Sequence, residues 1–216
     1  MPEPSDRDSK PSGYTRRSFL KGAGSVAATG VVAQNALAPT AEAAKTEPRV
    51  TRLAGEIEVK LMVNGSTQTV NCQPRTTLLS ALRHHLNPPQ TGTKLVCDEG
   101  ACGACTVLVN DDPVCSCLTL AVDAQGKKIR TIEGLADGDS LSPVQAAFVE
   151  QDAMMCGFCT PGFVMSVTSC LEKKPDSTLP EIKSACSGNL CRCGTYPHIF
   201  DAAVKAGQEM KRGGTR

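Results

Sequence analysis

Eight cysteines in two tight groups constrain this 216-residue chain more than any other feature. Cys97, Cys102 and Cys105 are spaced C-x4-C-x2-C, and Cys117 follows after eleven intervening residues. Cys156 and Cys159 form a C-x2-C pair, followed by Cys191 and Cys193 as C-x-C. The first spacing is that of plant-type 2Fe-2S loops, in which each tetrahedral iron takes two protein thiolates. Gly100 and Gly103 permit the unusual φ/ψ values such a loop needs. Backbone N–H groups turned toward the sulfurs then stabilise their negative charge.

The fourth ligand of the first group comes from a neighbouring strand, which ties the loop down. "VCSCLTLAV" reads as that strand, with Cys115 and Cys117 two apart on one face. Strand parity does not choose between them. In the second group, Cys159 sits just before a helix start at Thr160, where the positive end of a helix favours a thiolate. Cys191-Arg192-Cys193 falls between two further helices, with Gly188 and Gly194 as bends. Zinc is the competing metal for a C-x2-C pair. A C-x-C partner is uncommon in zinc ribbons, and the first spacing is specific to iron–sulfur loops.

Disulfides are the other competitor, and the N-terminus argues against them. "TRRSFLKGAG" pairs Arg16 and Arg17 ahead of Phe19 and Leu20, and residues 22–41 carry no charge. "AEA" at 41–43 supplies small residues for a signal peptidase. This reads as a twin-arginine signal over 1–43, cleaved after Ala43. Three glycines, Gln34, Asn35 and Pro39 make the stretch too weakly apolar for a membrane span. The twin-arginine route carries folded proteins, often around a cofactor inserted in the cytoplasm. Export by that route to the periplasm favours a buried cofactor over a disulfide framework. The remainder is electrically balanced and has no tryptophan, so no nucleic-acid partner is expected.

Residues 44–55 read as a flexible leader. "EIEVKLMVNG" alternates Ile57, Val59, Leu61 and Val63 with mostly polar neighbours, as a half-buried strand does. Asn64-Gly65 is a hairpin turn signal, and "STQTV" returns. "TTLLSALRHHL" places Leu78, Leu79, Leu82 and Leu86 at helical spacing, stopped by Pro88-Pro89. "TVLVN", a turn at Asp111-Asp112-Pro113, "VCSCLTLAV" and "KKIRTIEGL" complete a small mixed sheet with one helix across it. After residue 140 only helices are expected: "PVQAAFVEQ" capped by Ser142, "GFVMSVTSCLEK", "LPEIKSAC" and "YPHIFDAAVKAGQEMKR". Two domains follow, about 56–135 and 140–212.

Taken in order, "GTKLVCDEGACGACTVLV", "CLTLA", "TIEGL", "QAAFVEQDAMMCGFCTPG" and "SGNLCRCGTYPHI" resemble the small iron–sulfur subunit of the molybdenum hydroxylases, the xanthine dehydrogenase and aldehyde oxidoreductase family. The resemblance spans about residues 56–212. It implies an α+β architecture: an N-terminal β-grasp ferredoxin-like domain, then an all-α four-helix-bundle 2Fe-2S-binding domain. It implies Cys97, Cys102, Cys105 and Cys117 as ligands of one 2Fe-2S cluster, and Cys156, Cys159, Cys191 and Cys193 as ligands of the second. By that resemblance the partners are a molybdopterin-binding large subunit and an FAD-binding medium subunit, with the helical cluster nearer the molybdopterin. The reaction implied is hydroxylation of an aldehyde or N-heterocycle, with no catalytic residue on this chain. Two positions depart from the pattern. Relatives usually carry a pterin-contacting Gln where Met155 stands, and "CRCGTY" replaces C-R-C-T-G-Y.

Cys72, Cys115, Cys170 and Cys186 read as small buried hydrophobes. His84, His85 and His198 have no carboxylate or cysteine in helical register. The expected function is electron transfer; its rivals are a free two-cluster ferredoxin and a structural four-cysteine zinc protein.

Overall fold

The computed structural model describes residues 52–213. The twin-arginine signal, its cleavage point and most of the leader lie outside them. Alternating burial sets the first strand: β1 (Ile57–Val63) buries Val59, Leu61 and Val63 and exposes Glu58 and Lys60. Asn64 (φ 49°) and Gly65 (φ 82°) both adopt the left-handed conformation that a tight hairpin requires. They return the chain as β2 (Ser66–Cys72), antiparallel to β1.

A helix follows, though only its first turn is α. Thr77 caps α1 (Leu78–Ser80) by accepting from the Ser80 N–H at 3.2 Å, and residues Ala81–His85 continue as a π-helical turn. The apolar spacing survives the change, since Leu78, Leu82 and Leu86 are all buried. β3 (Thr106–Val109), β4 (Asp112–Cys115) and β5 (Lys128–Arg130) complete a five-stranded sheet in the order β2-β1-β5-β3-β4. β1 and β5 are parallel and the other pairs antiparallel, with α1 packed across the β-grasp core. The β3–β4 turn falls at Asn110-Asp111 (φ 50° and 67°), one residue earlier than expected, which leaves Pro113 on the edge strand where its missing N–H costs no ladder bond.

β3 is buried along its whole length, so both of its faces are covered. Val107 and Val109 join the sheet core, while the second half of the chain packs on the sheet with α3 (Thr160–Lys173) against β3. Before it comes α2 (Pro143–Glu150), where Ser142 and Gln145 form a reciprocal capping box. α4 (Leu179–Ala185) and α5 (Tyr196–Gly213) close a four-helix bundle. Its separate core centres on Phe148, Phe163, Leu171, Ile182 and Ile199. Ala202, Ala203 and Ala206 give α5 a slim face for close packing. Arg130 at the end of β5 ties sheet to bundle. It donates to both carboxylate oxygens of Glu172 at 2.9 and 2.5 Å and lies 3.1 Å from Asp111. No described helix is long and apolar enough to cross a membrane.

Candidate metal centres

The stretch between α1 and β3 bends through three left-handed residues, Asp98 (φ 57°), Gly100 (φ 71°) and Gly103 (φ 67°). Gly100 and Gly103 were legible as bends. Asp98 was not, because Asp merely tolerates this region and nothing nearby in sequence forces it there. A Cβ on Gly100 would stand 2.3 Å from Leu118, and one on Gly103 would stand 2.4 Å from the Gly188 carbonyl. The loop is therefore pressed between the segment after β4 and the helical half.

These bends gather the first four thiols as two pairs. Cys105 and Cys117 are buried with their sulfurs 3.4 Å apart, packed against Leu79. Cys97 and Cys102 are each other's side-chain partners. The Glu99 N–H donates to the Cys97 sulfur at 3.4 Å; that bond first, then the Cys102 contact, brings the Cys97 thiol down to about 7. Burial and the Cys105 contact push Cys117 up to about 12. Cys115 lies beside them, its thiol 3.8 Å from the Gly100 carbonyl and in contact with Cys105. Burial first, then the neighbouring thiols, raises it.

The structure corrects the strand expected over "VCSCLTLAV". β4 ends at Cys115, and Cys117 lies in the turn that follows. Backbone groups of 116–119 leave the ladder for α1: Leu79 N–H donates to Ser116 O, and Leu78 N–H to Thr119 O. Two residues on opposite sides of a strand end share no parity, so Cys115 and Cys117 do not share a strand face.

The second group also forms two pairs. Cys156 pairs with Cys193 and Cys159 with Cys191. Cys156 and Cys193 are exposed, Cys191 is buried and Cys159 is half-buried. The Phe158 N–H first, then Cys193, lowers Cys156. Burial pushes Cys191 up, but the Thr195 hydroxyl and N–H, Cys159 and the Gly194 N–H outweigh it and bring the thiol to about 7. Cys159 is the N-cap of α3, just before the expected helix start at Thr160. Its thiol is not lowered by the helix end; burial and then Cys191 push it up to about 12. Thr160, inside the helix, keeps a buried hydroxyl without a partner.

Two pairs per group match a two-iron centre, in which each iron takes two thiolates, and the converging N–H groups suit the negative charge of such a centre. Among the described residues no three Cys, His, Asp or Glu side chains gather about one point as ligands of a single ion. The two groups also touch. Leu190 N–H donates to Cys102 O at 2.9 Å, and Asn189 Nδ2 donates to Gly103 O at 3.0 Å. None of the twelve cysteines is joined in a disulfide. Cys72 and Cys186 are buried in the sheet and helical cores, and Cys170 is half-buried near Ser177 Oγ at 3.5 Å. His85 and His198 meet the backbone carbonyls of Asn71 and Gln151.

Comparison with known proteins finds iron–sulfur domains over both halves. Residues 61–131 match the 2Fe-2S iron-sulfur cluster binding domain family, and residues 131–204 the [2Fe-2S] binding domain family. Residues 13–33 match the twin-arginine translocation pathway signal sequence. The chain is 43% identical over 213 residues to the aldehyde oxidoreductase iron-sulfur-binding subunit PaoA of Escherichia coli (strain K12), covering 91% of this chain and 90% of that protein. It is 48% identical over 150 residues to the nicotine 6-hydroxylase small subunit of Paenarthrobacter nicotinovorans, covering 69% of this chain and 89% of that one. Among solved structures, a chain of quinoline 2-oxidoreductase from Pseudomonas putida 86 superposes with a TM-score of 0.69 at 39% identity, over 73% of this chain and 98% of that one.

Proposed function

This chain belongs to the iron–sulfur small subunits of the molybdenum hydroxylase family, and from that membership we propose a ligand set of two fours. Cys97, Cys102, Cys105 and Cys117 hold one 2Fe-2S centre; Cys156, Cys159, Cys191 and Cys193 hold the other. The protein is the electron-transfer subunit of an oxidoreductase, partner to a molybdopterin-bearing large subunit. Its twin-arginine signal directs it to the periplasm. The observation that carries the ligand assignment is that the thiols of each group are one another's neighbours, with the Cys105 and Cys117 sulfurs 3.4 Å apart.

When bound, each 2Fe-2S group supplies reversible one-electron storage. The chain's own residues do the rest. Leu79 and the buried Cys105–Cys117 pair keep water from one side of the sheet-domain site. The Glu99, Phe158 and Thr195 N–H groups favour the ionised form of Cys97, Cys156 and Cys191. Cys117 is taken as the fourth sheet-domain ligand: its sulfur lies 3.4 Å from that of Cys105, and although Cys115 also touches Cys105, its thiol donates to the Gly100 carbonyl at 3.8 Å.

The helical-domain site faces the large subunit. Its exposed Cys156 and Cys193 stand among apolar side chains left in water: Met154, Met155, Phe158 and Leu190, the last three more than half exposed. Such a rim suits a protein interface and ill suits a free ferredoxin. The sheet-domain site, with Leu95, Val96 and Leu118 exposed around it, faces an FAD-binding medium subunit. Met155 offers the large subunit a thioether where relatives usually present an amide. The substrate of the assembled enzyme is an aldehyde or an N-heterocycle.

Anaerobically purified protein is expected to contain iron and sulfide in the amounts of two 2Fe-2S centres. Dithionite reduction is expected to give two distinguishable EPR signals. Cys97→Ser should alter one signal and Cys156→Ser the other. Zinc in place of iron, or a single signal in the wild type, would overturn the assignment.

A further inference from the structure

Asn189 belongs to the helical half, yet its side chain is spent on the sheet-domain loop. It is 5% exposed. Nδ2 donates to the Gly103 carbonyl at 3.0 Å and to Thr106 Oγ1 at 3.3 Å, while Oδ1 accepts from Ser166 Oγ at 2.7 Å. The amide orientation follows from these partners, since the reverse would set two acceptors face to face. One residue later the Leu190 N–H donates to the Cys102 carbonyl at 2.9 Å. The helical half thus grips the two consecutive carbonyls between Cys102 and Cys105. Thr106 reinforces the second from the sheet side, its hydroxyl at 2.6 Å and its N–H at 3.1 Å from Gly103 O.

A trans peptide is planar, so its N–H points opposite to its C=O. With the Cys102 and Gly103 carbonyls drawn to the helical half, the Gly103 and Ala104 N–H groups are turned away from it. N–H groups aimed at the sulfurs favour the more negative, reduced state and raise its potential. We propose that Asn189 is a positioning residue for the sheet-domain 2Fe-2S centre: by fixing the Gly103 carbonyl it aims the adjoining amides at the sulfurs and raises that centre's reduction potential from the neighbouring domain. This rests on the ligand assignment above, and a wild type lacking two signals would expose failure of that assignment before any variant is made.

The test is an EPR-monitored dithionite titration of the full-length holoprotein, each one-electron reduction drawing its electron from dithionite. Cys97→Ser identifies the sheet-domain signal. In Asn189→Ala that signal's midpoint is expected to move to more negative potential while the helical-domain signal stays in place. Thr106→Val, which takes a second donor, the hydroxyl, from the same carbonyl while leaving the Asn189 amide in place, is expected to move the same signal in the same direction. It decides the question if Asn189→Ala fails to retain iron. An unmoved sheet-domain midpoint in the iron-replete variants, or an equal shift of both signals, would overturn the proposal.

Discussion

Gly162 shows how tightly single residues are held where the two halves meet. It lies in the first turn of α3, and a Cβ there would stand 2.2 Å from the backbone oxygen of Gly103. Alanine ordinarily improves a helix interior over glycine by about 1 kcal/mol. Overpacking against a backbone atom costs about 1–3 kcal/mol, so Gly162→Ala is expected to lower the melting temperature of the holoprotein. A variant as stable as wild type would show that the loop yields freely. At this scale the sequence was informative about cysteines and about Gly100 and Gly103, because spacing and backbone freedom are local properties. Asn189 and Gly162 carried no such signal. Their importance comes from Gly103, more than fifty residues away, and no local pattern announces a contact at that separation.

Elements were legible where periodicity and caps coincide, and misread where a distant partner takes over the hydrogen bonding. The hairpin at Asn64-Gly65, the capped start of α2 and the bundle helices lie where alternation, helical spacing and end signals place them. The strand over Cys115–Cys117 fails because its later backbone groups serve α1, and the α1 segment itself widens into a π-turn without moving its buried leucines. α4 offers a test of a local device. Glu181 accepts from the Thr178 N–H at 2.6 Å and hydroxyl at 2.8 Å, and from Lys174 at 2.7 Å. The Lys174 contact first, then the Thr178 bonds, lowers its pKa from 4.5 to about 2. A depressed carboxylate stabilises the fold above its unfolded pKa, and that contribution is lost as pH falls through the folded value. Thermal melts between pH 5 and pH 2 should therefore fall more steeply in wild type than in Glu181→Gln. Parallel acid limbs would remove the cap's role.

For the molecule as a whole, two cores and two cysteine groups follow from sequence, but the surface that joins them does not. Arg130, Glu172 and Asp111 meet across the halves from distant positions, with ordinary charged-residue neighbours in sequence. The outward apolar rim is also a product of folding. Leu141, Val149 and Met154 line a groove beside α2 and α3. Val149→Glu places a charge in that groove without touching a thiol. Its two EPR signals should match wild type, while binding to the large subunit weakens at least tenfold, about 1.4 kcal/mol. Unchanged co-purification would put the interface elsewhere.

The near-contact of Gly162 with the Gly103 carbonyl sets main chain against main chain, with no side chain between to shrink or swell. The span across which charge must hop is thereby written into the backbone. Amino-acid exchange around it can adjust how strongly each stop retains its electron, but the length of the leap is inherited with the fold.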